Sequence, residues 1–210
     1  MPQSTTPRQA LIRLQEGNQR YRAGGRRAAA SARLDDSRRA EVAKGQDPIA
    51  VILGCSDSRV PAEIVFDQGL GDLFVIRVAG NIVAPSQVGS VEFAVARFGT
   101  RLVVVLGHTE CGAVLATLDE LRQPSELRSP NLRSIVDRIR PSVEGLIETP
   151  LADGGAALIR RAIRANVRQS VNQLRHGSAV LEHFIAHDGL LVVGAEYSLE
   201  TGEVDFFEVP

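Results

Sequence analysis

The chain has 210 residues, 24 Lys plus Arg against 25 Asp plus Glu, and 44% hydrophobic residues, which suits one compact domain burying roughly 70% of its unfolded surface. Mean hydropathy is near zero, and no apolar run approaches the roughly 20 residues of a membrane span. The first segment also lacks the charged start, apolar stretch and cleavage site of a secretory signal, so no membrane partner is expected and the cytoplasm is the expected location. Two cysteines, Cys55 and Cys111, exclude a disulfide scaffold, and a chain without Trp has little material for stacking on bases or sugars.

The charge is unevenly spread. Residues 1–45 carry nine Arg and one Lys against four acids, about +6, which leaves the remainder at about −7. The only aromatic in this arm is Tyr21, and its arginines are interleaved with Ala, Leu and Ile at helical spacing. That pattern points to a helical arm packing on a neighbouring subunit, and nucleic acid is not expected as a partner. Thr6 and Pro7 open a helix with Ala10, Leu11, Leu14 and Tyr21 on one side, closed by Gly24 and Gly25. A second short helix spans Asp36 to Lys44, ended by Gly45.

Ile49 to Leu53 is then a continuous apolar run without alternation, the mark of a strand buried on both faces, and Leu73 to Val78 and Leu102 to Leu106 read alike. A helix over Val88 to Phe98 separates the second and third strands. Further helices are expected at Gly112 to Arg122, at Leu132 to Ile139, and from Ala156 to about His187. Leu190 to Tyr197 forms a fourth strand, and Leu199 to Gly202 turns the chain into a fifth, Val204 to Glu208, antiparallel to the fourth. The reading is an α/β fold: a four-stranded parallel sheet with an antiparallel fifth edge strand, flanked by helices, in a single domain over 1–210 with a helical arm over 1–45. Apart from Ala28 to Ala30, no repeat or low-complexity tract is present. In such open sheets ligands sit at the carboxyl ends of the parallel strands.

Two loops there carry chemistry. The first strand runs into Gly54-Cys55-Ser56-Asp57-Ser58-Arg59, and the third into Gly107-His108-Thr109-Glu110-Cys111-Gly112. Thiolate and imidazole are ligands of choice for zinc; the His108/Cys111 spacing lets one loop give two donors while the other supplies Cys55, with Asp57 or water as the fourth. Two buried inert thiols, or one disulfide, are the alternatives. Both cysteines lie in polar, Gly-flanked turns, which favours the metal. His176, His183 and His187 lie on or near the last long helix and read as solvent-facing, although His183 and His187 are one turn apart.

Cys-Ser-Asp-Ser-Arg followed some fifty residues later by His-x-x-Cys-Gly resembles the β-class carbonic anhydrases, and the resemblance runs from the arm through Asp67-Gln68-Gly69-Leu70-Gly71-Asp72-Leu73-Phe74-Val75-Ile76-Arg77 to the last strand pair. It implies one Zn²⁺ per subunit on Cys55, His108 and Cys111, with Asp57 as an exchangeable fourth ligand. It also implies reversible hydration of carbon dioxide to bicarbonate and a proton by a zinc-bound hydroxide. Asp57 and Arg59 form the implied catalytic dyad: on zinc Asp57 shuts the site, and held by Arg59 it lets water enter. Gln46, Phe74, Ala79, Phe93 and Gly112 match substrate-binding positions, and Gln46 and Phe93 are contributed across a dimer interface. A homodimer or homotetramer follows. Arg77 and Tyr197 match two residues of an inhibitory bicarbonate pocket found in some members; where those have Trp, this chain has Ile52, so no such pocket is inferred. Hydrolysis of carbonyl sulfide or carbon disulfide on the same scaffold, and a noncatalytic zinc site, are the competing readings.

Overall fold

Apolar runs without alternation need cover on both faces. The computed structural model, which describes residues 5–24, 36–123, 129–149 and 155–209, supplies it. β1 (Ala50–Gly54) and β3 (Leu102–His108) are buried at every residue, and β4 (Leu191–Tyr197) at all but its first. β2 (Leu73–Arg77) and β5 (Val204–Glu208) are the edges of a sheet ordered β2-β1-β3-β4-β5. The first four strands in that order are mutually parallel, and β5 runs antiparallel to β4. This is the sheet the sequence predicts.

Eight α-helices flank it among the described residues: α1 (Pro7–Arg22), α2 (Asp36–Val42), α3 (Ala62–Val65), α4 (Pro85–Phe98), α5 (Gly112–Arg122), α6 (Pro130–Ile147), α7 (Ala156–His176) and α8 (Ala179–His187). One face of the sheet, with Ile52, Val104, Leu106 and Val193, packs on Ala10 and Leu14 of α1 and on Val65 and Phe66. The other, with Val51, Leu53, Val103, Val105 and Val192, packs on α4, α7 and α8. A third cluster joins Cys55 and Cys111 to Val114, Leu118, Ile139, Val143 and Ile163 from α5, α6 and α7. The cysteines thus sit where the sheet's carboxyl end meets a helical layer.

Thr6 and Gln9 cap α1 reciprocally, with Pro7 at its first position. The helix lies on its own chain. Asn18 donates to Val65 O at 3.1 Å and Gly202 O at 2.9 Å, and accepts from the Val204 N–H at 2.9 Å. Arg13 pairs with Asp72, Arg20 with Asp67 and Arg22 with Glu203, and Arg38, beyond α2's start, also reaches Asp72. These four arginines therefore meet acids of the same chain. Gly25, expected to help close α1, and the Ala28 to Ala30 tract lie outside the described residues.

The structure departs from expectation mainly in helix limits. α6 runs from Pro130 to Ile147, through Pro141, where the sequence predicts an end near Ile139. Val136, Ile139 and Val143 form a buried stripe on both sides of that proline, so packing outweighs the lost backbone bond. The long helix expected to reach His187 is two, broken at Gly177 and Ser178, and Ser178 caps α8 by accepting from the Leu181 N–H. α4 begins at Pro85, three residues before the predicted Val88. α3 and a 3₁₀ turn over Ala79–Asn81 are additional.

Candidate metal centre

β1 and β3 are neighbours with Gly54 opposite Leu106, so the chain leaving one strand stands beside the end of the other. His108 is the last residue of β3, one step inside the loop predicted for it. Glu110 adopts φ 56, a left-handed conformation that folds the loop back, and Cys111 follows as the N-cap residue of α5. One sulfur from the β1 loop, one ring nitrogen and one sulfur from the β3 loop thereby come within 4.8 Å of one another, all buried.

Three observations fit these donors to a soft or borderline dication. His108 Nδ1 lies 2.9 Å from Thr109 O; a carbonyl only accepts, so that nitrogen carries the proton and Nε2 faces the sulfurs. Nε2 is buried with no hydrogen-bond partner among the described residues, a costly condition for a polar atom that a metal ion relieves. The Gly80 N–H donates to Cys55 Sγ at 3.3 Å, as suits a thiolate. A hydrogen bond from Cys111 draws the Cys55 thiol down to about 4, burial opposes this, and His108 and the backbone N–H groups of Gly80 and Asp57 assist. The same pairing, with burial, pushes Cys111 up. Burial disfavours the charged form of His108, yet the Cys55 thiolate, the Thr109 carbonyl and Asp57 together raise the imidazole. The three donors share protons that a dication would displace.

Asp57 stands beside them. Arg59 grips it in a fork, Nε to Oδ1 at 2.9 Å and Nη2 to Oδ2 at 2.7 Å, and the Arg59 N–H adds a bond to Oδ1 at 2.9 Å. These hydrogen bonds hold the carboxyl well below the usual carboxylate range against its partial burial. Oδ2 is 3.9 Å from His108 Nε2. Arg77, at the end of β2, donates to Cys55 O at 3.1 Å and to Asp57 O at 2.5 Å, fixing the loop that carries both side chains. Its place 22 residues after Cys55 does not reveal this task, because carbonyl groups leave no trace in the sequence.

Gly112 adjoins the donor Cys111 in the chain, and Ala79 adjoins Gly80, whose N–H meets Cys55 Sγ. Gln46, Phe74 and Phe93 are not brought to the donors by their own chain. Gln46 is exposed on the loop before β1, at the opposite end of that strand, and Phe74 pairs with Val51 near the same end. Phe74, Phe93 and Phe98 form an aromatic group with ring centroids 5.6 to 6.3 Å apart, and Phe93 is 54% exposed. Ile52 is wholly buried in the core, and the Tyr197 hydroxyl lies 2.9 Å from that of Tyr21. His183 and His187 are exposed, their rings stacked with centroids 4.5 Å apart.

Known proteins resemble this chain. The carbonic anhydrase family model matches residues 50–204. Carbonic anhydrase 2 of Mycobacterium tuberculosis is 41% identical over 95% of this chain and 92% of its own. The carbonic anhydrase of Mycolicibacterium smegmatis is 40% identical over 98% and 95%. The solved structure of the β-carbonic anhydrase CcaA superposes with a TM-score of 0.72 at 27% identity, covering 95% of this chain and 92% of that one. Because the match begins at the first residue of β1 and reaches the first of β5, it takes in both donor loops, and the chain belongs to the β-class carbonic anhydrase family.

Proposed function

We propose that the chain catalyses the reversible hydration of carbon dioxide to bicarbonate and a proton, with one zinc ion per subunit held by Cys55, His108 and Cys111. The observation that carries this reading is the buried His108 Nε2, without a hydrogen-bond partner among the described residues, facing two thiols beside a carboxylate that Arg59 holds. When bound, zinc supplies the nucleophile by lowering the pKa of a coordinated water toward neutrality.

The remaining work falls to the chain. Asp57, kept ionised by Arg59, has lone pairs left to accept a hydrogen bond and so would orient a water at the fourth position toward substrate. The Arg59 fork also keeps the carboxylate from becoming a ligand itself. A noncatalytic metal site would have no use for such a restraint. His108, Cys111 and Cys55 are at most 6% exposed, so bulk water does not compete for the donors, and Ala79 offers a nonpolar wall to a nonpolar gas.

Gln46 and Phe93, remote from the donors within one chain, meet those of a second subunit. A homodimer is the smallest active unit in this reading, and a tetramer is two of them. Phe93, a large apolar side chain turned to solvent in one chain, supports that contact. No helix among the described residues is long and apolar enough to cross a membrane, and the cytoplasm is the proposed location.

Stopped-flow hydration of carbon dioxide tests the activity. The zinc-loaded protein should accelerate the reaction, lose that activity to a chelator and regain it with zinc. No rate above background after zinc loading refutes the proposal. Light scattering on the same sample should give two or four chains, and a fully active monomer refutes the shared site.

A further inference from the structure

α7 shows an inconsistency in its buried face. Leu158, Ala162, Ile163, Val167, Val171 and Leu174 are apolar, as a helix against a sheet requires. Asn166 and Ser170, each 2% exposed and one turn apart, interrupt them. Both side chains point at one feature, the turn between β2 and α4. Asn166 Nδ2 donates to Gly80 O at 2.8 Å, and Ser170 Oγ donates to Asn81 O at 3.0 Å.

That turn is unusual in itself. Gly80 and Asn81 are consecutive left-handed residues, at φ 69 and φ 44, the second without glycine's freedom. It is also enclosed, since a Cβ on Gly80 would stand 2.8 Å from Ile139 Cδ1 and 3.1 Å from Ala113 Cβ. From it the Gly80 N–H meets Cys55 Sγ at 3.3 Å. The donor of Gly80 is committed to the sulfur and its acceptor to α7.

We propose that Asn166 and Ser170 are positioning residues for the metal centre: by holding the Gly80 and Asn81 carbonyls they aim the Gly80 N–H at Cys55 Sγ and so set how much electron density that sulfur gives to the ion. The inference rests on the zinc reading above. Two buried polar residues also satisfy two buried carbonyls, so the test needs a readout that stability alone does not move. Cobalt(II) in place of zinc provides one, because the thiolate-to-metal charge-transfer band reports the energy of the sulfur lone pairs. An N–H on sulfur lowers that energy, and its loss moves the band to longer wavelength.

Asn166→Ala is expected to shift the band to longer wavelength and to weaken zinc binding, in competition with a chromophoric chelator, by about 10-fold or more. Ser170→Ala, one step further from the sulfur, should give a smaller shift in the same direction, and it carries the test if Asn166→Ala does not fold. Thr100→Val is the control: it removes an equally buried hydroxyl bond, to Pro48 O at 2.9 Å, at the other end of the sheet, and should leave the band in place. If Ser170→Ala and every folded Asn166 variant keep the wild-type band, the positioning role is overturned while the metal centre stands. If the wild-type protein itself shows no thiolate–cobalt band, the metal centre falls and the inference with it.

Discussion

Replacing Arg59 by Ala tests the restraint on Asp57. Two ligands on arms of 2.0 to 2.2 Å around a tetrahedral ion stand about 3.4 Å apart, and Asp57 Oδ2 is already 3.9 Å from His108 Nε2. The carboxylate is therefore only about half an ångström beyond ligand–ligand separation. Of its three bonds to residue 59, the variant keeps the backbone N–H on Oδ1 and loses both side-chain bonds, so Oδ2, the oxygen facing the site, is the one set free. The freed oxygen takes the fourth position and excludes water. The expected result is a fall in kcat of about 10²-fold, the scale on which a displacement near 1 Å at a reacting centre acts, with zinc content unchanged. Losing the guanidinium raises the Asp57 pKa toward the ordinary carboxylate range, still far below neutrality, so the defect should persist from neutral through alkaline pH. Arg59→Lys should recover it only in part, since one ammonium does not meet two oxygens in a fork. Stopped-flow hydration of zinc-replete protein across that pH range is the assay. Wild-type kcat for Arg59→Ala at every pH would refute the restraint.

Two further substitutions test the fold around the site. A Cβ on Gly17 would lie 1.9 Å from Phe66 O, so Gly17→Ala must lift α1 off the bonds made by Asn18; a loss of about 2 to 4 kcal/mol lowers the melting temperature by about 4 to 16 °C, and an unchanged melting curve means α1 is not seated there. Burial raises the pKa of Glu196 despite Arg164, so its charge opposes folding above the carboxylate's unfolded pKa, increasingly as pH rises to the folded value, and not below both. Glu196→Gln should therefore melt a few degrees higher than wild type near neutral pH, with the gap closing toward acid; a lower melting temperature at neutral pH refutes this.

Legibility in the sequence followed the range over which each cause acts. Strands β1 and β3 were readable because burial on both faces writes itself into every residue of Val51 to Leu53 and Leu102 to Leu106. The donors were readable because Cys and His at a fixed spacing are rare and chemically specific. The limits of α6 and α7 were not, because Pro141 is a local signal to stop, and Val136 and Val143 on either side of it override that signal only through their packing. What surrounds the donors was hidden for a related reason. Arg77, Asn166 and Ser170 act on backbone carbonyls, and every residue type offers the same carbonyl, so the pairing exists only after the chain has folded. Ile52 marks the converse. Read alone it is the absence of a Trp; in the fold it is one more filled position in the core. The left-handed pair Gly80 and Asn81 joins the two kinds of information, because its conformation is local while its cause is not. A turn strained at Asn81 survives only if other contacts over-determine it, and those contacts come from α7, more than eighty residues away.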